Sequence, residues 1–409
     1  MPSLKEVLAA ALLFSLRLHA QTEPDAPIPD GQRALFARLQ ERVETFDRQI
    51  GPPDPNAAVL FSAELSTATG QRGLVLLRPA TRVGIDLELK RMQGLGLHAV
   101  TVAVSFPILS REFYDFNGDP QDYDAMLRFY RDLALNVHGR GMKLIVKAGM
   151  LFPGIYSAGS GLKIQEFYQH AGADFARYKA EAVAATIREM HPEFLTLGSE
   201  PDIEARLGSG ASGPEAFGAN IALYSKQAKA AAVTGTRIGA GVGTWQKNAR
   251  EYIAQIAPHV DFIDLHIYPV NFNLLASAIT LADYARSLGK PAAISEAWLM
   301  KEDDSELSRV NSVTDPRIFA RDSFRFWAPL DQRFLAALAH LARAKDMLFL
   351  SPFWTRYFWS YLDYEDVRAA EAPDVLKKAN GAAAAALVKG QVSSTGRAYA
   401  LIAKGVSGK

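Results

Sequence analysis

Short apolar segments alternate with helical segments along most of this chain, and that alternation constrains its fold more than any other feature. The helical segments repeat their apolar residues at a spacing of three to four positions, as in residues 175–190 and 331–346. Strands separated by helices pair in parallel, because a parallel connection needs a long crossover. Eight apolar segments follow this pattern: residues 74–77, 99–106, 143–150, 194–200, 237–243, 262–269, 292–298 and 347–354.

Eight strand–helix units predict an α/β protein with a (β/α)8 TIM barrel, and we expect residues 57–409 to form it as one domain. The first strand is ambiguous, because residues 57–65 compete with residues 74–77 for its place. A doubly wound open sheet is the alternative. It is disfavoured because no strand is followed by a G-x-G-x-x-G turn or a G-x-x-x-x-G-K-[ST] loop.

The N-terminal residues have a different pattern from the rest of the chain. Residues 1–20 contain one early lysine, an apolar run and a final alanine, which is typical of a secretory signal peptide. We therefore expect a secreted or periplasmic protein; an amphipathic N-terminal helix is the alternative. Residues 21–56 are predicted to form a helical extension, with apolar residues at helical spacing between 30 and 50.

Composition excludes several classes of protein. The chain contains no cysteine, so disulfide scaffolds, thiolate nucleophiles and cysteine-ligated metals are ruled out. The formal net charge is +1 and the charges are scattered, so no basic face suggests a nucleic-acid partner. No apolar run beyond the first twenty residues is long enough to predict a membrane span. The dispersed histidines predict no metal or other cofactor.

Carboxylates stand at the ends of two predicted strands. Glu200 ends the fourth strand and Glu296 lies at the end of the seventh, with His266 and Tyr268 at the end of the sixth. A barrel places its active site at the carboxyl ends of the strands, so these side chains should face one mouth. Two facing carboxylates, one protonated and one ionised, are what the cleavage of a glycosidic bond requires.

Three short motifs carry a resemblance to a known group of enzymes. LGSEPD, DLHIYP and ISEAW occur in this order on the fourth, sixth and seventh predicted strands. They resemble clan A retaining glycoside hydrolases, the (β/α)8 group that includes cellulases, β-mannanases and β-1,4-galactanases. The resemblance implies that Glu200 is the acid/base, that Glu296 is the nucleophile and that Tyr268 contacts the nucleophile. It also implies that Trp354 or Trp359 forms the floor of the sugar subsite.

The sequence departs from that group at two points. Ser199 precedes the acid/base, where these enzymes carry an asparagine that binds the sugar 2-hydroxyl. An arginine near the second strand is also missing, and only Arg78 is a loose substitute. Asp202 and Glu204 are predicted to cap the helix after the fourth strand. The predicted substrate-binding residues are Ser199, His266, Tyr268, Trp298, Trp354, Trp359, Lys147 and Phe106.

The expected function is a retaining β-glycosidase that acts on a polysaccharide or its oligosaccharides. Two alternatives use the same residues. One is a catalytically silent barrel that binds carbohydrate, which the two departures suggest. The other is a transglycosylase or a lyase that uses the same two carboxylates. Carbohydrate is the expected partner under each of these hypotheses.

Overall fold

The computed structural model describes residues 26–153, 161–210, 212–232, 235–268, 270–307 and 315–405. The predicted signal peptide lies outside the described residues, as does Pro269 at the end of the DLHIYP motif. Among the described helices, none is both long and apolar enough to cross a membrane.

Eight parallel strands form a nearly closed barrel, which confirms the predicted (β/α)8 fold. The strands pair in the order β1-β8-β7-β6-β5-β4-β3-β2. Backbone hydrogen bonds close the barrel between β1 and β2, from Leu65 N to Thr101 O and from Thr101 N to Ala63 O. The strands are β1 Leu60–Phe61, β2 Ala99–Ala103, β3 Lys143–Lys147, β4 Phe194–Thr196, β5 Arg237–Gly243, β6 Phe262–Ile267, β7 Ala292–Ala297 and β8 Phe349–Pro352.

Helices cover the outside of the barrel and flank its mouth. They are α1 Asp30–Gln49, α2 Pro79–Gly94, α3 Arg111–Asn117, α4 Pro120–Gly139, α5 Ile164–Ala171, α6 Phe175–Met190, α7 Pro201–Glu204, α8 Pro214–Ala231, α9 Ala249–Ile256, α10 Phe272–Ser287, α11 Asp304–Leu307, α12 Pro316–Arg321, α13 Ala328–Ala344, α14 Ala372–Lys389 and α15 Ser394–Ala403. The helix expected between residues 30 and 50 is therefore present as α1.

The first strand lies in the competing segment, residues 57–65, and the prediction of residues 74–77 as a strand is wrong. Residues 74–77 belong to the 3-10 helical segment Gly70–Leu77, which is kinked at Gly73. Only Leu76 of this apolar run is buried in the core. The short run therefore packs one side against the body, as a helical turn does, and the barrel uses the segment that ends in Glu64.

Aromatic rings fill the end of the barrel opposite its mouth. Phe194, Phe262 and Phe349 come from three different strands, and their ring centroids lie 5.1 to 6.0 Å apart. Space for them comes partly from glycines on β5, since a Cβ at Gly239 would lie 2.2 Å from the Phe262 ring. The barrel is thus a packed core that holds the strand ends at fixed positions.

Candidate active site

A cavity of about 1000 Å³ opens at the carboxyl ends of the strands. Its described lining includes residues that follow β1, β3, β4, β5, β6, β7 and β8. Eight of the ten predicted site residues line it: Lys147, Ser199, Glu200, His266, Tyr268, Glu296, Trp354 and Trp359.

Glu200 is the carboxylate on the β4 side of the cavity. It precedes Pro201, the first residue of α7, so the chain turns sharply where the side chain enters the cavity. His266 Nδ1 lies 2.9 Å from Glu200 Oε1. Burial raises the pKa of Glu200, and the hydrogen bond and positive charge of His266 offset only part of that effect. Glu200 is therefore suited to carry a proton.

Glu296 is the carboxylate on the β7 side, and its environment has the opposite effect. Lys147 Nζ lies 2.6 Å from Glu296 Oε2, and the hydroxyl of Tyr268 donates a hydrogen bond to Oε1. Burial by itself would raise the pKa of Glu296, but Lys147, His266 and Tyr268 together hold that pKa below its usual value. Glu296 is therefore suited to stay ionised.

The two carboxylates face each other at short range. One oxygen of Glu200 and one of Glu296 lie within 4.8 Å of each other, and a nitrogen of His266 lies within the same distance of both. His266 pairs in register with Glu296 on the neighbouring strand, which explains why the imidazole lies between the two carboxylates.

His266 is held in its protonated form. Its Nδ1 contacts Glu200, and its Nε2 lies 3.1 Å from Ser295 Oγ and 3.6 Å from Asp264 Oδ2. Burial lowers the pKa of His266, but Glu296, Asp264 and Glu200 outweigh it and raise that pKa to about 10. The imidazolium thus donates from both nitrogens and compensates part of the negative charge of the site.

The hydroxyl of Ser199 is bonded to another side chain of the protein and is not free to face the cavity. Its Oγ donates to Asp264 Oδ2 at 2.6 Å, and Ser295 donates to the same carboxylate from its backbone N and its Oγ. Burial opposes ionisation of Asp264, yet these donors and His266 lower its pKa. The hydroxyl of Ser199 thus stabilises a buried anion behind His266.

The sequence offers no arginine near the second strand to supply a cation to the site. In the structure that cation is Lys147. It ends β3 and also contacts Glu64 Oε2 at 2.9 Å. Glu64 lies just beyond β1 and lines the cavity, and the sequence prediction missed it. The signal was present, because residues 57–65 were the competing first strand, and that choice puts Glu64 at a strand end.

The predicted aromatic contacts divide into two groups. Trp354 and Trp359 line the cavity, although Trp359 is almost fully buried. Phe106 and Trp298 are absent from the described lining and are buried in the core. Phe106 packs among aromatic rings of α5 and α6, and Trp298 stacks on Tyr357. Both follow the last residue of their strand, so strand alternation no longer directs them toward the mouth.

Two further predictions need correction. Asp202 and Glu204 make no capping bond at α7. Asp202 instead accepts hydrogen bonds from the Trp245 indole and from Gln246, which fixes an aromatic ring of the cavity wall. Glu204 is buried, where it pairs with Lys179 of α6 and accepts a hydrogen bond from Tyr224 of α8.

The cluster of Glu200, His266 and Glu296 has the donor atoms and spacing that a metal ion would need. Its chemistry does not favour a cation, however. The raised pKa of His266 favours its charged form, in which both nitrogens carry a proton, and the Lys147 ammonium already contacts one oxygen of Glu296. A metal ligand must offer a lone pair, which a doubly donating imidazolium does not have.

The amino-acid sequence matches no family model and no curated protein sequence. Solved structures do match. A protein designated GH5_18 from Bifidobacterium longum aligns at 15% identity over 85% of this chain and 79% of its own, with a TM-score of 0.51. This chain has the fold of that protein. An exo-β-1,4-mannosidase from an Opitutaceae bacterium gives a TM-score of 0.55 at 15% identity, over 87% of this chain and 61% of its own.

These likenesses establish the barrel fold that the motif resemblance implied. This chain spans less than two thirds of the length of the mannosidase. The barrel therefore shares its architecture with two proteins of different length. What the site can do chemically depends on the residues described above.

Proposed function

We propose that this protein is a retaining β-glycosidase that hydrolyses O-glycosidic bonds in a polysaccharide or its oligosaccharides. The observation that carries the proposal is a pair of facing carboxylates whose pKa values are shifted in opposite directions. The pKa of Glu200 is raised and the pKa of Glu296 is lowered. The nearest oxygens of the two side chains lie within 4.8 Å of each other. Retaining enzymes hold their carboxyl groups about 5–5.5 Å apart, whereas inverting enzymes need about 6.5–9.5 Å.

The first chemical step forms one bond and breaks another. A carboxylate oxygen of Glu296 attacks the anomeric carbon while the bond from that carbon to the leaving oxygen breaks. Glu200 gives its proton to the leaving oxygen. In the second step Glu200 removes a proton from water, the water oxygen bonds to the anomeric carbon, and Glu296 leaves as a carboxylate. Both carboxyl groups return to their starting protonation states.

The surrounding side chains support these roles. Lys147 and Tyr268 hold Glu296 ionised and oriented through its two oxygens. His266 contacts Glu200 and lies 4.0 Å from Glu296, so its charge stabilises the site when Glu200 loses its proton. A charge that is already in place when the transition state forms costs little reorganisation.

The size and walls of the cavity support an oligosaccharide rather than a single sugar. At about 1000 Å³ it lies at the upper end of the range for drug-sized ligand sites. Trp245 and Trp354 present aromatic rings to it on different sides. Trp354 stacks against the Arg356 guanidinium at 4.1 Å, and Trp245 lies against Tyr268 at 5.7 Å. Rings held in this way offer flat apolar faces for sugars.

We also propose that the protein is exported. The pattern of residues 1–20 supports this, and it predicts cleavage before Gln21. Expression of the full chain in a bacterial host, followed by N-terminal sequencing of the exported product, tests it. An intact N-terminus in the cytosolic fraction would contradict it.

A substrate panel tests the enzymatic proposal. It consists of 4-nitrophenyl β-D-mannoside, β-D-glucoside and β-D-galactoside, with β-1,4-linked mannan, glucan and galactan oligosaccharides. β-Mannosides belong in it because one protein of the same fold is named an exo-β-1,4-mannosidase. We expect hydrolysis of one sugar series, with the β-anomer as the first product in proton NMR spectra.

The two catalytic variants have different expected results. Glu296→Ala should abolish turnover, because no group remains to form the covalent intermediate. Glu200→Ala should lower the turnover of oligosaccharides by roughly 10²–10⁴-fold, the usual contribution of general acid catalysis. Unchanged turnover in Glu296→Ala would contradict the assignment. Binding without product by the wild type would indicate a silent carbohydrate-binding barrel, and an α-anomer as first product would indicate inversion.

A further inference from the structure

A third carboxylate faces the proposed reaction centre. Glu64 lies just beyond β1, where its backbone N bonds to Pro352 O of β8 and its carbonyl accepts a hydrogen bond from Thr355 Oγ1. These bonds fix the residue against the end of β8. Its side chain is 4% exposed and belongs to the cavity lining.

Lys147 connects this third carboxylate to the proposed nucleophile. Its ammonium lies 2.9 Å from Glu64 Oε2 and 2.6 Å from Glu296 Oε2. The lysine side chain is 6% exposed, so water contributes little to its solvation. A single buried ammonium therefore divides its hydrogen bonds between two carboxylates.

Two further carboxylates act on Glu64 through their charge. Glu88 of α2 is a buried carboxylate that accepts hydrogen bonds from Ser66 and Thr67, and it acts on Glu64 only through its charge. Glu296 repels Glu64 in the same way, and the Tyr268 hydroxyl is within range of its field. Among the described residues, Lys147 is the cation whose charge acts most strongly on Glu64.

We infer that Glu64 is a positioning residue that controls how Lys147 divides its hydrogen bonds, and thereby sets the basicity of Glu296. The inference rests on the proposed function, because it concerns the nucleophile assigned there. When Glu64 is ionised, it holds part of the Lys147 charge and Glu296 is the stronger base. When Glu64 is protonated, Lys147 acts on Glu296 alone and the nucleophile is weaker.

The protonation of Glu64 changes in a range that matters for this role. Burial raises its pKa, and Lys147 opposes that increase only in part, so that the pKa is about 7. Glu296 stays ionised throughout this range, because its own pKa is lowered. The two states of Glu64 therefore correspond to two strengths of the same nucleophile.

The test compares the wild type with Glu64→Gln, which imitates the protonated state at every pH. We expect similar kcat/KM values at pH 5 for an unactivated β-glycoside of the series found in the panel. Above pH 7 the wild type should become about tenfold faster than the variant. A ratio that stays constant from pH 5 to pH 8 would overturn the inference, since general structural damage has that effect.

Glu88→Gln is the matched control, because it also removes a buried carboxylate but does not contact Lys147. Its ratio to the wild type should change far less with pH. Glu64→Asp keeps the charge and should restore part of the pH dependence. A Glu88→Gln ratio that follows pH as the Glu64→Gln ratio does would also overturn the inference.

A measurement on the wild type does not depend on activity. In protein labelled with [5-¹³C]glutamate, the Glu296 carboxyl resonance is identified by its absence in Glu296→Gln. It should show a second inflection near pH 7 as Glu64 loses its proton. Absence of that inflection overturns the inference even if a substrate is found. Its presence without turnover of any substrate would support the coupling and contradict the proposed function instead.

Discussion

At the scale of single residues, two chemically identical side chains are given different tasks by their neighbours. Glu200 and Glu296 are both buried, and burial alone raises the pKa of each. Glu200 has one charged donor, whereas Glu296 has the Lys147 ammonium, the Tyr268 hydroxyl and the charge of His266. The number of donors to each carboxylate therefore decides which one holds a proton.

Removal of the Lys147 ammonium should favour the protonated form of Glu296. In Lys147→Met, burial acts on Glu296 without its main opposing charge, so the pKa of Glu296 should rise by roughly 1–3 units. The acidic limb of the kcat/KM profile should move to higher pH by the same amount. The pH–rate profile of the variant measures this shift directly.

Lys147→Arg is the matched control, because it keeps a cation at this position. Its acidic limb should stay close to that of the wild type, even if the larger guanidinium lowers the rate. An acidic limb that moves equally in both variants would show that the shape of the side chain at position 147, rather than its charge, determines the pKa of Glu296.

The sequence predicted the residues at this scale unevenly. Glu200 and Glu296 were predictable because each stands at the end of a strand with a clear apolar pattern. Glu64 was missed because the apolar pattern favours residues 74–77 as the first strand in place of residues 57–65, in which β1 comprises only Leu60–Phe61. Phe106 and Trp298 were misplaced because the direction of a side chain beyond the last strand residue depends on the turn.

At the scale of elements, helix α1 connects to the loops that carry the site. Arg42 of α1 donates to Val270 O at 2.9 Å and pairs with Asp304 at 2.6 Å. Val270 is two residues beyond Tyr268, and Asp304 belongs to the long segment after β7. The helix packs on α10 and α13, so it fixes two loops of the mouth to the outer layer of the barrel.

Arg42→Met should therefore lower both stability and activity. Loss of the buried guanidinium leaves the Val270 carbonyl and the Asp304 carboxylate without their donor, which costs about 1–3 kcal/mol of stability. Urea unfolding measures this loss, and we expect kcat to fall because the segment that carries Tyr268 is less well held.

Arg38→Met is the comparison. Arg38 lies on the same helix as Arg42 and pairs with Asp303, but its side chain is half exposed. An exposed pair contributes about 0–1 kcal/mol, so this variant should be close to the wild type in stability. Equal losses in the two variants would contradict the special role given to Arg42.

The predicted order of elements was right for most of the chain, because buried parallel strands read as continuous apolar runs and their helices as periodic ones. The packing of α1 against the loops was beyond the reach of the pattern. It depends on contacts between residues more than two hundred positions apart, such as Arg42 and Val270.

At the scale of the whole molecule, the charged groups of the mouth make stability depend on pH. The folded pKa of His266 is raised to about 10 from a reference of 6.5, so its stabilising contribution is complete below pH 6.5 and is lost as pH rises through 10. The folded pKa of Glu64 is raised from 4.5 to about 7, and its contribution is lost between those values. Both changes have the same sign.

The free energy of unfolding should therefore fall as pH rises from about 5 to 10, by an amount on the order of a few kcal/mol. Urea unfolding at a series of pH values measures this slope. His266→Gln should flatten the upper part of the curve, and Glu64→Gln the lower part. Stability that rises across this range in the wild type would contradict the assigned charge states.

The central claim is that Glu296 forms a covalent bond to the sugar. Intact-protein mass spectrometry after incubation with a 2,4-dinitrophenyl 2-deoxy-2-fluoro-β-glycoside of the active sugar series tests it most directly, because the fluorine slows breakdown of the intermediate. The account predicts a mass increase of one fluoroglycosyl group, located on the peptide that contains Glu296 and absent in Glu296→Ala. Dinitrophenol release without an adduct, or an adduct on another residue, would contradict it.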